Sequence, residues 1–470
     1  MPINRRNLMA GAGSLAAAVL TGPTAGAAPT PPVEKLRSLV KGPVFTRSDA
    51  GYPAARRGQG TTPVEDRFPA LVVQPDDAAD IAHALEFAQR QDMDISIRSG
   101  GHDLLGASTT RTGLLIDLSR LTGIDLDPAS RIARVGAGTR AGALTNAGAP
   151  HGLVPSLGMN PNVGVGGLTL GGGMGWVSGV YGATVDNLLS VDLVTADGQV
   201  LQADASRNAD LFWALRGGGG NFGVATAFTY NLHALPQVLA GDIGFKADPV
   251  RFLRFLRDFL AQSPDALEVG TLFTLGPDPT TIVRLCWSGE PAEGELVLRT
   301  LRAFGPAILD TIRPQAFAAF AGSATHFDNM FLRGGEFDGI TDPVIDAFAA
   351  IIAKGGPKGC LIGLLHYLHG ALCRVPADST PFIREPGHIL YNIVAPWQGA
   401  DPQQDRIDWA VATSQALKTV NSRKTYINYL SYEGDQPVRD AFGPHFERLQ
   451  AVKRRYDPRN IFHNNRNIRV

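Results

Sequence analysis

The sequence predicts an α+β protein built from two domains. At 470 residues the chain is longer than one ordinary hydrophobic core encloses. Helical and strand-like apolar patterns follow one another along it, and its 54 glycines are clustered, most densely in the first block. After residue 235 the pattern changes to long helices between well-spaced strands, which is typical of a second α+β domain. We therefore predict one domain at 33–235 and another at 236–424.

The first block combines helix and strand signals. A helix is predicted to start at Pro75-Asp76-Asp77, because Ile81, Leu85 and Ala88 then form one apolar stripe. Asp197-Gly198 predicts a tight hairpin turn before a short strand. Other strands are predicted at 95–98, 114–118, 132–135, 191–194 and 224–232.

The second block has longer periodic segments. Apolar residues recur at helical spacing at Phe252, Phe255, Leu256, Phe259 and Leu260. Further helices are predicted at 292–304, 342–353 and 402–419, and strands at 281–287, 360–369 and 390–397. In the tail, 426–429 are predicted to lie on a strand, and a helix at 444–456 is predicted to end at Asp457-Pro458.

The N-terminus, residues 1–32, has the pattern of a signal peptide and spacer. Arg5-Arg6 precedes a short stretch rich in Ala, Gly and Leu, and Ala25-Gly26-Ala27 offers a small-residue cleavage site. Paired arginines before a weakly hydrophobic run are typical of a bacterial twin-arginine signal, and a disordered basic tail is the alternative. That route exports folded proteins with their cofactors, so we expect a periplasmic or extracellular location. The apolar run is far too short to span a membrane.

Composition and charge exclude several classes of function. The formal net charge of −1 argues against a nucleic-acid partner or an anionic membrane surface. Cys286, Cys360 and Cys373 have no metal-ligand spacing, and their odd number excludes a complete disulfide framework, although one bridge stays open. His366 and His369 are spaced like metal ligands, but on a strand their rings point to opposite faces. No metal is predicted.

Three glycine-rich segments carry the first functional signal: RSGGHD at 98–103, VGVGGLTLGGGMG at 163–175 and RGGGGNFG at 216–223. Adjacent glycines let the backbone turn tightly and point successive N–H groups at one anion. One such segment is an ordinary turn in many proteins. Three within about 125 residues fit a large diphosphate cofactor lying against the backbone. None has Rossmann or Walker spacing, so the nucleotide is held in another way.

These segments resemble a known family. SGGHD, VGVGGLTLGGGMGWVSGVYGATVDN and DLFWALRGGGGNFGV resemble the PCMH-type FAD-binding domain of the vanillyl-alcohol-oxidase superfamily, and within it the berberine-bridge-enzyme-like oxidases. YINY at 426–429 and LQAVKRRYDPRNIF at 449–462 resemble that family's end. The resemblance extends from about 63 to 468 and weakens between 236 and 389. It implies an FAD domain completed by a returning C-terminal segment, 425–470, and a substrate domain whose antiparallel sheet is covered by helices.

The resemblance also implies how the flavin is attached. The histidine of the SGGH turn, His102, matches the residue that bonds covalently to the flavin C8 methyl. Histidine suits this role because its ring is nucleophilic and mostly neutral near pH 7, and capping the turn is the alternative. Asn160 stands where many members carry a second, cysteine anchor, so a single link is expected. Val163 matches a position that borders the face where dioxygen reacts, and its small size resembles the oxidase form. Packing in a glycine-rich strand is the alternative.

Tyr426 matches the catalytic tyrosine of the family, and Asn392 matches a residue near the substrate. As a base, Tyr426 needs its pKa of about 10 lowered by a nearby cation or by the flavin. His366 and Tyr367 are assigned to the substrate pocket. The remaining positions assigned to the cofactor are Arg98, Ser99, Gly100, Gly101, Asp103, Gly164, Gly166, Gly167, Gly171, Gly172, Gly175, Asn221, Phe222, Val224, Asn428 and Tyr429.

The function that follows from the resemblance is oxidation of an alcohol, phenol or sugar hydroxyl. The hydride is expected to pass to flavin N5, and dioxygen to reoxidise the flavin with release of hydrogen peroxide. An oxidative cyclase or rearrangement enzyme of secondary metabolism is the alternative. A binding protein that has lost activity is a third hypothesis, against which the intact His102 and Tyr426 argue. The expected partners are a small-molecule substrate and dioxygen, and the sequence does not indicate an oligomeric state.

Overall fold

The computed structural model describes residues 33–57, 67–103, 106–246, 248–275, 279–323, 329–399, 404–422, 424–430 and 434–470. The expected signal segment, with Arg5-Arg6, lies outside these residues, as does the start of the helix predicted at 402–419. Among the described residues, no helix is both long and apolar enough to cross a bilayer.

The first half of the chain alternates short strands and helices. Its strands are β1 (Val44–Thr46), β2 (Leu71–Val73), β3 (Ile95–Arg98), β4 (Leu114–Asp117), β5 (Ile124–Asp127), β6 (Ile132–Gly136), β7 (Leu153–Val154), β8 (Leu188–Val194), β9 (Val200–Asp204), β10 (Val224–Asn231) and β11 (His233–Ala234). Its helices are α1 (Val33–Leu39), α2 (Tyr52–Arg57), α3 (Ala78–Arg90), α4 (Ala141–Gly148), α5 (Val165–Leu170), α6 (Ser178–Tyr181) and α7 (Ala209–Leu215).

These strands form two main sheets. The first has the order β1-β2-β4-β3, in which β4 runs parallel to both β2 and β3. The second is antiparallel with the order β5-β6-β10-β8-β9, and β7 pairs with β11 beside it. Helix α3 begins where the sequence predicts, because the Asp77 side chain accepts hydrogen bonds from the first-turn N–H groups of Ala79 and Asp80. Its apolar stripe is fully buried in the core of this half.

The second half is built on one large sheet. Its strands are β12 (Gln237–Phe245), β13 (Leu267–Thr274), β14 (Thr281–Trp287), β15 (Ala307–Asp310), β16 (Arg313–Ala316), β17 (Asn329–Phe337), β18 (Leu361–Tyr367) and β19 (Ile389–Trp397). The order is β15-β12-β14-β13-β18-β19-β17, with β16 also on β12, and the pairings are antiparallel. Helices α8 (Pro249–Ala261), α9 (Pro291–Arg302), α10 (Phe317–Gly322), α11 (Asp342–Lys354) and α12 (Gln404–Leu417) accompany it.

The C-terminal segment packs into the core of the first half. Helices α13 (Asp435–Phe442) and α14 (Phe446–Tyr456) contribute buried side chains there. Helix α14 ends before Asp457, whose carboxylate forms a fully buried ion pair with Lys453 Nζ at 2.6 Å. Lys453 also donates to the carbonyl oxygens of Asn221 and Phe462, so this cation joins the third glycine-rich segment to the chain end.

The predicted α+β class with antiparallel sheets is confirmed. The strands that the sequence did not predict are β1, β2, β5, β7, β11, β12, β13, β15, β16 and β17, and the three longest of them are β12, β13 and β17. Glycines interrupt the apolar alternation in each of these three, and pairing with distant partners supplies the missing signal; β17, for example, pairs with β19 along its whole length. The strand predicted at 426–429 is wrong, because Ile427–Tyr429 form a 3-10 turn. Val163 likewise lies in a turn before helix α5, not in a strand.

Candidate active site

A cavity of about 650 Å³ lies between the two halves of the molecule. On one side it is lined mainly by the glycine-rich segments, within residues 95–225, which we call the glycine wall. On the other it is lined by one face of the large sheet, within residues 242–394, which we call the sheet wall. Residues 426–429 and 462–466 of the C-terminal segment complete the lining. Two distant parts of the sequence therefore share one cavity.

The first glycine-rich segment leaves strand β3 and turns along the cavity. Arg98 is buried beneath it, 3.0 Å from the Asp117 carboxylate, and donates to the Arg56 carbonyl at 2.6 Å. Arg98 therefore fixes the end of β3 and does not line the cavity, whereas 99–103 do. A Cβ atom at Gly100 would overlap the backbone nitrogen of Gly164. The first two glycine-rich segments thus touch backbone to backbone.

The second segment divides into two parts with different neighbours. Asn160, Val163, Gly164, Gly166 and Gly167 line the cavity. Farther along, three other glycines predicted to bind the cofactor do not line it: Gly171, Gly172 and Gly175. A Cβ at these positions would overlap Asn428, crowd Phe382 or overlap the Leu157 carbonyl, respectively. They are glycines because other parts of the chain pack against them.

The third segment reaches the cavity through Gly219, Gly220, Asn221 and Gly223. The Asn221 side chain donates to the Gly218 carbonyl at 2.9 Å and accepts from the Ile468 N–H at 3.1 Å. It therefore ties the loop to the end of the chain as well as lining the cavity. Two predicted cofactor residues, Phe222 and Val224, instead point into the hydrophobic core.

The C-terminal segment brings a cation that the sequence did not reveal. Arg466 lines the cavity, forms an ion pair with Asp103 and donates to the Leu430 carbonyl at 2.9 Å. Burial lowers the pKa of Arg466 to about 10, which leaves it charged at neutral pH. Asn464 and Asn465 line the cavity beside it. The polar run at 463–467, directly after the family-like DPRNIF, is the sequence signal that could have identified it.

Tyr426 reaches the cavity from the 3-10 turn of the C-terminal segment. Its hydroxyl oxygen accepts hydrogen bonds from the Gly173 N–H at 3.0 Å and from the Asn428 side chain at 2.9 Å. Burial raises the pKa of Tyr426 to about 12 despite these two bonds. The expected neighbouring cation is not among its hydrogen-bond partners in the described part of the chain. The phenol therefore holds its proton at neutral pH.

A buried carboxylate beneath Tyr426 was also missed. Glu336, on β17, accepts from the Tyr426 backbone N–H at 2.9 Å and lies 2.8 Å from His388 Nδ1. Burial raises the pKa of Glu336. Burial also lowers the pKa of His388, but its hydrogen bond to Glu336 and that carboxylate's charge outweigh this effect and raise it. The Glu336–His388 pair holds the backbone of Tyr426 in place. Glu336 was missed because the strand that carries it, β17, was not predicted.

His366 and Asn392 face the cavity from the sheet wall, as the sequence predicts. Burial lowers the pKa of His366 to about 4, so its ring is neutral at ordinary pH. Tyr429, which also lines the cavity, lies with its ring 5.9 Å from the His366 ring. Tyr367 does not line the cavity, and its ring stacks on His369 instead. The reason is that neighbouring residues of a strand point to opposite faces.

His102, the predicted attachment point, lies half-buried on the glycine wall. The three cysteines are free thiols, so the single disulfide left open by the sequence does not form. Among the described residues, no group of three or more histidine, cysteine or acidic side chains is arranged to hold a metal ion.

The sheets, the glycine wall and the shared cavity define an FAD-dependent oxidoreductase of the PCMH-type fold. Residues 69–204 match the FAD binding domain family, and residues 425–469 match the berberine and berberine-like family. The chain is 36% identical to the FAD-linked oxidoreductase fogF of Aspergillus ruber, over 83% of this chain and 84% of that protein. It is 29% identical to the (R)-6-hydroxynicotine oxidase of Paenarthrobacter nicotinovorans, over 91% and 96% of the two chains.

A solved structure resembles the whole described architecture. The crystal structure of 6-hydroxy-D-nicotine oxidase from Arthrobacter nicotinovorans superposes with a TM-score of 0.83 at 28% identity, covering 92% of this chain and 98% of that one. The chain belongs to the berberine-bridge-enzyme-like family of FAD-linked oxidoreductases.

Proposed function

We propose that this protein is an oxidase that carries FAD on one covalent bond to His102. In this proposal it oxidises an alcohol, phenol or sugar hydroxyl of a small molecule, with dioxygen as electron acceptor and hydrogen peroxide as product. The observation that carries it is the position of His102, in a glycine turn on the wall of a cavity shared by two domains. The name of the 6-hydroxynicotine oxidase supports the choice of an oxidase.

The residues present fit FAD. Gly167 and Gly220 line the cavity with nothing within 4 Å of where a Cβ would stand, so a flat group can approach the backbone there. Arg466 Nε is buried without a hydrogen-bond partner among the described residues, so it offers a charged N–H donor suited to a diphosphate. We assign the adjacent turn, 99–103, to the same cofactor. When bound, FAD supplies a two-electron acceptor that dioxygen can regenerate.

The covalent bond balances as an oxidation. With FAD bound, His102 would form a carbon–nitrogen bond to the flavin methyl group, which would lose one hydrogen while the imidazole loses its N–H proton. The two electrons released would be taken up by dioxygen, which is the oxidant. Asn160 carries no thiol for a second bond, so one link is proposed. Val163, on the same wall, is small enough to leave dioxygen a path.

Side chains of the protein accept the proton of the substrate hydroxyl and orient the reactants. Oxidising a hydroxyl requires a group that takes its proton as the carbon–hydrogen bond breaks. Tyr426 holds a proton on its hydroxyl oxygen at neutral pH, because its pKa is about 12. We therefore assign Tyr426 to hydrogen-bonding and orienting the reactants. A neutral ring nitrogen of His366 is the proposed proton acceptor.

The test is the behaviour of the colour on denaturation. The purified protein should be yellow, and the colour should stay with the chain after acid precipitation. His102→Ala should release its flavin into the supernatant, whereas the matched variant His151→Ala, at an exposed position, should keep it. A wild-type supernatant that turns yellow would contradict the covalent bond and leave the oxidoreductase class intact.

Two further parts of the proposal have separate tests. Photoreduced flavin should reoxidise rapidly in air, and Val163→Leu should slow that step without slowing reduction by substrate.

Export is proposed from the arginine pair at 5–6, with the signal in 1–32. Replacing both arginines by lysine should retain the protein in the cytoplasm, and unchanged secretion would contradict the twin-arginine route.

A further inference from the structure

The sheet wall presents an apolar surface to the cavity. Strand pairing sets Leu361, Val394 and Leu332 in one row across three strands. The neighbouring row begins with the partners Ile282 and Leu272. All five side chains line the cavity, together with Met330 and Leu365. A substrate that lies on this face exchanges water for hydrocarbon over most of its surface.

The charged side chains that line the sheet wall neutralise each other. Asp242 and Arg284 are cross-strand partners, with Asp242 Oδ2 3.5 Å from Arg284 Nη1. Arg284 also donates to the Phe320 carbonyl at 3.0 Å and lies 4.7 Å over the Phe320 ring. Because both partners are already engaged, neither is available as a counter-ion for a charged substrate. The wall therefore suits an uncharged molecule.

Hydrogen-bonding capacity is concentrated at the other end of the wall. Asn392 continues the second row and stands between two glycines, Gly363 and Gly334, and its side chain is hydrogen-bonded to the Tyr429 hydroxyl. Its Oδ1 atom is buried and has no hydrogen-bond partner among the described residues. His366, more than nine-tenths buried, makes no hydrogen bond to another described residue either. A buried acceptor of this kind is stabilised by a donor that the ligand brings.

We propose that the substrate is an uncharged ring compound, aromatic or alicyclic, whose apolar body lies on the two leucine-containing rows. Its one reacting hydroxyl donates to Asn392 Oδ1 in the bound state, and the same proton passes to His366 only when the hydroxyl reacts. This inference rests on the proposed oxidase function and narrows it. A sugar carries a hydroxyl on most of its carbons, and the apolar rows offer those hydroxyls no partner. Two unmatched hydroxyls are expected to weaken binding about 100-fold, so sugars should bind far more weakly than apolar hydroxy compounds.

The experiment uses the holoenzyme and reads binding separately from turnover. The flavin absorbance spectrum is titrated without oxygen against phenol, 4-hydroxybenzyl alcohol and cyclohexanol, and in parallel against glucose and xylobiose. The apolar hydroxy compounds should perturb the spectrum at concentrations about 100-fold lower than the sugars. Flat titrations with all three apolar compounds would overturn the inference, and so would sugar binding of equal or greater strength.

Two variants assign the effect to the wall. Leu332→Asn should weaken binding of the apolar compounds about 10-fold, whereas Leu309→Asn, an exposed leucine at the edge of the same sheet, should not change it. Asn392→Leu should raise KM for the hydroxy compound more than it lowers kcat, and Asn392→Asp, which keeps an acceptor oxygen, should restore part of the affinity.

The proposed function fails in a different way. Loss of the colour on acid precipitation, or no reoxidation of photoreduced flavin in air, would overturn the oxidase proposal and not the polarity of the pocket. Tight binding of an apolar hydroxy compound in the absence of reoxidation would still support the substrate class. Unchanged binding in both Leu332→Asn and Asn392→Leu would overturn the proposed substrate class.

Discussion

The two walls of the cavity are made in opposite ways. The glycine wall approaches its ligand with backbone, and at Gly100 and Gly164 the two segments lie so close that a single added carbon would overlap the opposite main chain. The sheet wall approaches with side chains. At Gly270, which lines the sheet wall, an added Cβ would stand 3.6 Å from the nearest atom, in the Trp176 ring, which is ordinary contact.

Because of this difference, residues of the two walls carry different information about the ligand. Where backbone meets backbone, only glycine fits, so the residue there is set by the packing of the two segments and not by the ligand. Where side chains line a sheet, many residues fit the fold, and the set that is present determines polarity and volume. The same substitution should therefore have very different effects on the two walls.

The largest expected effect is that of Gly100→Ala. Because the new carbon meets main-chain atoms of Gly164, neither segment can yield without moving its loop. We expect loss of bound flavin and destabilisation of about 4 kcal/mol or more. Flavin absorbance per protein measures the bound flavin, and urea unfolding measures the change in stability. Gly123→Ala, with nothing within 4 Å, is the matched control and should retain both; a fully flavinylated Gly100→Ala would show that the walls do not differ in this way.

The next effect is expected at the carboxylate that holds Tyr426. Glu336→Ala leaves the Tyr426 N–H and His388 without their buried partner, at a cost of about 3–5 kcal/mol. Glu336→Gln keeps an oxygen for the N–H and should cost less.

The pH dependence of stability tests the same pair. The folded-state pKa of His388 is raised, so its contribution is present below about pH 6.5 and is lost as the pH rises through that folded-state pKa. As the pH rises from about 6.5 through the folded-state pKa of His388, the Tm of the wild type should fall more steeply than the Tm of Glu336→Gln. Parallel curves would exclude the pair as the cause.

A smaller effect is expected from the titration of His366. Its pKa is lowered to about 4 by burial, so the neutral ring is present above that pH, and kcat/KM should fall as the pH drops through 4. His366→Gln should lose this acid limb and reduce kcat about 100-fold if the ring accepts the substrate proton. An unchanged limb in the variant would assign the titration to another group.

The smallest expected effect is that of Gly270→Ala on the sheet wall. The strand has room for the methyl group, and the unfolded chain loses conformational freedom, so stability should be unchanged or rise by up to about 1 kcal/mol. Flavin content should be that of the wild type, and only the KM of a bulky substrate should change. A loss of flavin comparable with that of Gly100→Ala would remove the contrast between the walls.

The glycine-rich segments show how far sequence reasoning reached. Ser99, Gly100, Gly164 and Gly167 line the cavity as expected. Where the backbone must come close to another group, glycine is required, and that requirement is visible in the sequence. The run at 171–173 looked the same in the sequence and has a different purpose. It receives Asn428 and Phe382 and donates the Gly173 N–H to Tyr426, partners more than 200 residues away. A glycine in the sequence therefore indicates a close approach, but it does not indicate whether the approaching group is a cofactor or another part of the chain.

The class of fold can be predicted from local patterns in the sequence, and the cofactor family and the role of the turn that carries His102 follow from the resemblance of the glycine-rich segments to a known family. The folded molecule alone shows which strands face the cavity, that Arg466 and Glu336 belong to the site, and that the sheet wall is apolar. The physical reason is that a strand's exposed face and a buried group's partners depend on pairing between distant segments. The pKa values of Tyr426 and His366 are likewise set by burial that only the assembled domains create.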